Sequence, residues 1–275
     1  MVFRSAIIAV FTWGAIHGQV ADPHPAFEVA SVKLSPPRTP MMVGAMGGPG
    51  SNDPERYRAQ NFDLGGLVQV AYGINRYQLS APEWLSDLRF DVEAKVPRGT
   101  TTEQFRLMMQ DLLRERFKMA AHHETREMQG YELAIYKNGP KIRESTEPFP
   151  KDPGIDGASK PPLDGDGFPI LPPGRFPWWT SLTDGHERRR VANMSMAEFA
   201  QDLSMQLQGP VNDSTELQGK YDFTLSWVFG TSRAEEGGPD LFGALQQQLG
   251  LKLDRKKEPV DVIVVDHIER SPTEN

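Results

Sequence analysis

One short stretch concentrates the residue types that acid–base catalysis uses. Residues 210–227 read PVNDSTELQGKYDFTLSW and place Asp213 and Asp222 on either side of Lys220. A carboxylate tuned by a nearby ammonium group could serve as a general acid or base. The same letters also describe a turn that leads into a strand, because Asp, Ser and Thr side chains bond to nearby backbone and apolar residues alternate with polar ones after Gly219. The turn-and-strand interpretation explains every residue without chemistry, so no catalytic residue is predicted.

The run His122-His123-Glu124 contains residue types that bind zinc. A zinc site needs three or four ligands that converge, and adjacent side chains of a strand point to opposite faces. The chain has no cysteine and no H-E-x-x-H motif. We therefore predict neither a metal site nor any other cofactor.

Other catalytic patterns are equally weak in this chain. No G-x-S-x-G motif is present, and no histidine stands in a recognisable triad context. Triads and carboxylate pairs can also assemble only in space. A hydrolase with an unrecognised active site between two domains therefore stays open as the alternative function.

The best hint of a binding site is the pair Trp178 and Trp179, which lies in a proline-rich region. Aromatic residues are enriched where proteins meet their partners. The same pair could instead fill the seam between two domains. We prefer the interpretation that the two tryptophans fill the seam between the domains. They are kept as the candidate binding residues because no other residues in the sequence give a stronger hint of a binding site.

Several amphipathic segments must position any such site. Leucines at 64 and 67 with Val68 and Ala71 share one face of a helix that begins after Asp63. A second helix is predicted after a capping box formed by Thr100 and Glu103, and a third after a capping box formed by Ser195 and Glu198. In a capping box, the two side chains satisfy backbone N–H groups at the start of the helix. The sequence around 118–136 predicts two strands separated by Met128-Gln129-Gly130.

Parts of the first half recur in the second half. Asn61 matches Asn193, and Asp91 matches Asp222, with offsets of about 130 residues and similar neighbours. Amphipathic helices bury one face against a sheet. We therefore predict an α+β fold of two tandem similar small domains, each with two helices packed on a small mixed β-sheet. The predicted segments are a signal peptide (1–21), a first domain (22–143), a Pro/Gly-rich linker (144–187) and a second domain (188–275).

Small sheets of this kind suggest binding through an edge strand. The segment VDVIVVDHIE, residues 260–269, is apolar on both faces, which is typical of a central strand. The edge role is therefore expected for the shorter strand at 131–136 or for the strand at 27–32.

Charge and the N-terminal residues restrict the compartment and the partners. The net charge is −7, so no basic surface is expected and no nucleic-acid partner is predicted. Arg4 is the only charge before Asp22, and the apolar run from Ala6 to Ile16 is shorter than the roughly 20 residues that span a bilayer. It fits a secretory leader, although an uncleaved anchor or a buried strand stays open. We expect export to the periplasm or the extracellular space, with no transmembrane span after the leader is removed.

Several phrases together resemble a soil-associated bacterial family of exported proteins of unknown function. They are FEVASVK, LVQVAYGI with PEWL, RFDVEAK, LLRERFK, KNGPK, VNDSTELQGKYDFTL and ALQQQLGLKL. The resemblance covers nearly all of the chain after the leader, and Glu216 stands where the family favours glycine. Some members are fused to membrane metallopeptidase sensors of the BlaR type, which implies ligand sensing or partner binding.

The order of elements is also similar to the short N-terminal domain of secretins and TonB-dependent receptors, through LVQVAYGI and LLRERFKMAAHHE. That similarity implies a periplasmic interaction module. The predicted function is therefore an exported, non-catalytic binding, interaction or sensing protein. The expected partner is another envelope protein or a peptide.

The leader gives the first testable prediction. We expect export to remove the apolar run behind Arg4, so that the mature chain begins near residues 19–22. Mass spectrometry of the intact exported protein measures this directly. A cytoplasmic product that keeps Met1 would contradict the prediction.

Overall fold

The computed structural model of the protein describes residues 26–36, 44–146, 160–171, 178–228 and 238–273. The predicted signal peptide, residues 1–21, lies outside these ranges. Within them the chain forms twelve strands. In chain order the strands are β1 (Val29–Leu34), β2 (Gly44–Gly47), β3 (Arg56–Asp63), β4 (Leu79–Ser80), β5 (Arg89–Lys95), β6 (Ala120–Ile135), β7 (Arg143–Glu144), β8 (Trp178–Thr183), β9 (His186–Ser195), β10 (Val211–Asp213), β11 (Lys220–Val228) and β12 (Leu251–His267).

The same ranges contain four α-helices, each of which turns an apolar stripe toward a sheet. They are α1 (Leu64–Tyr72), α2 (Thr102–Phe117), α3 (Met196–Leu207) and α4 (Leu241–Ala244). Helix α4 continues into a π-helical turn, Leu245–Leu249. Short 3₁₀ turns at Arg76–Gln78 and Glu83–Ser86 flank β4.

The strands form three four-stranded sheets. The first has the order β1-β5-β3-β2 and the third has the order β7-β11-β9-β8, and both are antiparallel throughout. The central sheet has the order β10-β6-β12-β4. Its long strands β6 and β12 are antiparallel to each other, while β10 and β4 join them in parallel.

The buried apolar side chains form two cores, each between helices and sheet strands. The first core joins the first sheet, α1, α2 and the end of β12, where Ile263 and Val265 are buried. The second core joins the third sheet, α3, α4 and the start of β12, and it also includes Leu133 from β6. Strand β12 therefore contributes to both cores, and β6 contributes Leu133 to the second core while its Ala121 packs against the first.

The predicted fold class is wrong. The described chain is mostly β, with four helices and three sheets, and it does not consist of two domains of two helices each. The central sheet belongs to neither half alone, because β6 pairs with β12 along its whole length and β10 pairs with β6. The described parts of the predicted linker also carry ordered structure, since residues 178–183 form β8.

Strands β6 and β12 are longer than the sequence predicts, because each contains a residue that usually interrupts a strand. Gly130, predicted to lie between two strands, lies inside β6, and a Cβ atom there would come within 2.6 Å of Pro210. The glycine therefore permits the close approach of another segment. Pro259 lies inside β12, where β4 pairs only with Ile263 and Val264. Proline is tolerated at a strand position whose N–H group has no neighbouring strand.

The predicted helix starts are largely confirmed. The Asp63 carboxylate accepts a hydrogen bond from the Gly66 N–H at 2.8 Å, and Ser195 forms the predicted capping box with Glu198. The capping box of α2 lies one residue later than predicted, between Thr101 and Gln104.

The first and third sheets contain the same β-bulge. In β3, two residues oppose Asp91 of β5, and in β9 two residues oppose Asp222 of β11. The second bulged residue is Asn61 in one sheet and Asn193 in the other, with φ of 48° and 53°. In each case its N–H donates to the opposing aspartate at 2.8 Å. The carboxylate thus satisfies an N–H that the bulge removes from the ladder.

The turn before β11 is confirmed. Asp213 accepts hydrogen bonds from the Thr215 N–H at 2.9 Å and from the Thr215 hydroxyl at 2.7 Å. Glu216 follows with φ of 61°, in the left-handed region. This backbone conformation gives the physical reason for a glycine preference at that position.

Replacement of Asp91 by alanine should lower the free energy of unfolding by about 3 kcal/mol. The carboxylate accepts hydrogen bonds from the Asn61 N–H and from the Ser35 hydroxyl, and bonds to charged groups contribute about 1.5–3 kcal/mol each. Urea denaturation measures the change. The exposed aspartate at 166 supplies the control variant Asp166→Ala, which should stay within about 0.5 kcal/mol of the parent. Equal effects of the two variants would contradict this role of Asp91.

Replacement of Glu216 by glycine should raise the free energy of unfolding by about 0.5–1 kcal/mol. A non-glycine residue in the left-handed region costs about 1–2 kcal/mol, which the entropy of glycine only partly offsets. The control is Glu115→Gly within α2, where glycine should lower stability by about 1 kcal/mol. If both variants lose stability equally, the turn conformation of Glu216 carries no strain.

Candidate binding cleft along strand β8

Trp178 and Trp179 open strand β8, which is an edge strand of the third sheet. The strand pairs with β9 from Trp178 opposite Val191 to Thr183 opposite His186. Within the described ranges no strand pairs with its other edge. An open edge exposes a row of backbone donors and acceptors.

Successive side chains of β8 point to opposite faces of the sheet. On one face, Trp178 packs against the second core and Thr180 accepts a hydrogen bond from Arg189 Nε at 2.9 Å. On the other face, the Ser181 hydroxyl donates to the Gly167 carbonyl at 2.7 Å. Both faces of the strand are therefore held by neighbouring structure.

A cleft of about 880 Å³ runs beside this strand. Five consecutive residues of β8, Trp178–Leu182, line it together with Lys160, Pro161 and Leu163. Consecutive residues of a strand alternate between faces, so a cleft that all five line must follow the open edge. Leu182 is 60% exposed and Leu163 is 42% exposed. The cleft therefore combines the edge of a strand with apolar side chains, and its size lies within the range of about 300–1,000 Å³ for ligand sites.

The opposite wall of the cleft is a tight turn. Leu163 pairs with Pro169 as an isolated bridge. Between them, the Asp164 carboxylate accepts the Phe168 N–H at 2.9 Å and also forms an ion pair with Arg190. The wall is thus fixed to β9 by a charge-assisted contact.

A buried cation lies behind β8. Arg189 is 6% exposed and pairs with Asp202 of α3, which is 7% exposed. The guanidinium carbon lies 4.9 Å from the ring centroid of Trp178 and 5.3 Å from that of Trp227. Burial raises the pKa of the Asp202 carboxyl, and the guanidinium opposes that rise. Sequence reasoning missed Arg189 because it stands in the run Arg188-Arg189-Arg190, which does not distinguish a buried arginine from an exposed one.

The structure does not assemble the acid–base group that residues 210–227 suggested. Asp213 bonds to the turn and Asp222 accepts the N–H of Asn193 at the bulge. The Nζ atom of Lys220 lies 3.8 Å from Oε2 of Glu198, and both side chains are more than half exposed. These contacts support the structural interpretation of the stretch.

The two adjacent histidines contact different carboxylates. His122 Nδ1 lies 2.9 Å from Asp266, and His123 Nδ1 lies 2.8 Å from Asp261. Among the described residues no group of three or more His, Asp or Glu side chains could hold a metal ion.

A second cleft of about 630 Å³ lies against β9 and β11. Its lining includes two carboxylates, those of Asp164 and Asp222. Asp164 is paired with Arg190, and Asp222 holds the bulge at Asn193. Both carboxylates therefore have structural roles there.

Of the strands expected to act as edges, the segment at 131–136 does not. Residues 131–133 of β6 pair with β10 on one side and with β12 on the other. Strand β1, at 29–34, is an edge of the first sheet. The segment 260–269 lies mostly in β12, which pairs with β6 and, at Ile263 and Val264, with β4.

Comparison with known proteins adds the family. No helix in the described part of the chain has the length and apolar character needed to cross a membrane. Neither a search of curated proteins nor a search of solved structures found a match. A family described as protein of unknown function (DUF3738) matches residues 65–268, a span that runs from α1 to just beyond the end of β12 and contains the β8 cleft. The chain belongs to this DUF3738 family.

Proposed function

We propose that this protein is an exported, non-catalytic binding protein that accepts an extended segment of another envelope protein or of a peptide along the open edge of β8. The observation that carries the proposal is the cleft lined by five consecutive residues of one edge strand. A ligand in such a cleft meets backbone groups first and side chains second, which is the geometry of strand addition.

The dimensions of the cleft support this mode of binding. Strand β8 has six residues, which corresponds to a length of about 20 Å at 3.4 Å per residue. An added strand of that length forms several backbone hydrogen bonds, and its alternate side chains contact Trp178 and Leu182 or the turn at Leu163. Backbone pairing supplies affinity, and the side-chain contacts supply selectivity.

The sequence resemblances support the location and the biological role. The apolar run behind Arg4 has the length and flanking charge that are typical of a secretory leader. Similarity to the short N-terminal domain of secretins and TonB-dependent receptors favours an envelope interaction module. Fusion of some relatives to BlaR-type sensors favours a sensing role, in which occupation of the β8 edge is the event that is sensed.

Selection from a library of random eight-residue peptides tests this function. Peptides enriched on the parent protein should lose affinity at least about tenfold for Leu182→Lys. The new ammonium group would have to enter an apolar cleft, and burying it costs more than the 1.4 kcal/mol that corresponds to tenfold. Isothermal titration calorimetry measures the affinity of each enriched peptide.

The matched control is Leu34→Lys on β1, because Leu34 is 63% exposed on the edge of the first sheet. The control should bind the enriched peptides as the parent does. If no peptide is enriched, or if enriched peptides bind Leu182→Lys and the parent equally, the proposed function of the β8 edge is wrong.

A further inference from the structure

The buried pair of Arg189 and Asp202 supports two of the five residues with which β8 lines the cleft. Arg189 Nε donates to the Thr180 hydroxyl, and the guanidinium plane lies near the ring of Trp178. Trp227 of β11 lies near the same guanidinium, at 5.3 Å. Asp202 accepts from Nη1 and comes from α3, a helix of the second core. One side chain thus joins β8, β9, β11 and α3.

A buried ion pair such as Arg189 with Asp202 is not by itself evidence of stabilisation. Removing two charges from water is expensive, and a buried ion pair is often no more stabilising than apolar residues of equal volume. What the pair adds is geometry, because a planar guanidinium fixes the positions of its neighbours through several directed contacts. Here those neighbours are the aromatic ring and the hydroxyl at the start of the open edge.

We infer that Arg189, oriented by Asp202, is the positioning residue of the β8 edge and keeps the strand ready for an incoming segment. The functional meaning of this inference rests on the proposed function. The positioning of β8 by Arg189 is a property of the free protein and can be tested without a ligand. A strand held in its bound conformation before binding loses less conformational entropy when the partner arrives. Loss of the pair should therefore loosen β8 locally and weaken binding without unfolding the domain.

The test compares the double variant Arg189→Met with Asp202→Leu against the parent. Changing both residues leaves no unpaired buried charge, so the fold should persist, as the urea denaturation midpoint will verify. Residue-resolved amide hydrogen exchange by NMR should show exchange at Trp178–Ser181 that is about tenfold faster or more, equivalent to 1.4 kcal/mol. Amides of α3 and β11 should keep their protection.

The binding probe is a blocked octapeptide of alternating valine and threonine. Its affinity for the double variant should fall about tenfold relative to the parent. A copy of the peptide with alternate backbone amides methylated cannot form the same ladder, so it should bind both proteins weakly. Arg189→Lys keeps the charge but not the planar donor group. Its amide exchange rates at Trp178–Ser181 and its affinity for the octapeptide should therefore lie between those of the parent and the double variant.

The neighbouring arginine provides the matched control. Arg188 lies on the same strand and donates to the carbonyl and hydroxyl of Thr183, away from Trp178. Arg188→Met should leave exchange at Trp178–Ser181 unchanged. If the double variant does not fold, Thr180→Val takes its place, because it removes only the hydroxyl that accepts from Arg189 Nε.

The outcomes separate the two claims. Unchanged exchange of β8 in a folded variant, or an equal rise throughout the third sheet, would overturn the positioning role of Arg189. A local rise at β8 together with a parent protein that does not bind the octapeptide would support the positioning role and count against strand addition. A local rise with weakened binding supports both.

Discussion

The antiparallel pairing of β6 with β12 is the interaction on which the rest of the structure depends. The strands stay in register from Leu251, opposite Ile135, to Val265, opposite Ala121. Leu133 and Leu251 are buried in the second core, and Val265 is buried in the first. A slip of one residue would turn these side chains to the wrong face. Each core therefore fixes the register on which the other core is built.

A series of contacts connects the pairing of β6 with β12 to the candidate cleft. The start of β12 and the end of β6 supply apolar residues to the second core, against which α3 packs. Helix α3 carries Asp202, which pairs with Arg189 of β9. Arg189 in turn contacts Trp178 and Thr180 of β8. The position of an edge strand is thus set by contacts that run back to the central sheet.

The sequence predicted local structure better than the assembly of the fold. Helix starts and the turn before β11 depend on side chains that bond to nearby backbone, so Asp63, Ser195 and Asp213 could be interpreted correctly. The shared central sheet could not, because Gly130 and Pro259 look like chain breaks until the approach of Pro210 and the limited extent of β4 are known.

The sequence predicted the aromatic residues of the candidate site but neither its edge position nor its buried arginine, because these depend on tertiary contacts. The pair Trp178 and Trp179 was recognisable by residue type, yet its place on an open edge depends on the pairing of β9 with β11, which is a tertiary fact. The buried state of Arg189 depends on Asp202, thirteen residues away on a helix. Within a run of three arginines, no local pattern identifies the one that faces a core.

Edges of the described sheets differ in how they are protected against pairing. The middle of the long β6–β12 ribbon extends past its short neighbours and carries Glu124, Arg126, Lys256 and Lys257, with Pro259 inside β12. Charges and proline at an edge oppose the addition of a further strand. Strand β1 includes a lysine, and β2 and β7 have four and two residues. Strand β8, WWTSLT, has six residues with neither charge nor proline. Among the described edges, the long central ones thus carry charges or proline and the edge of β8 carries neither, and this difference supports the proposed addition of a partner strand along β8.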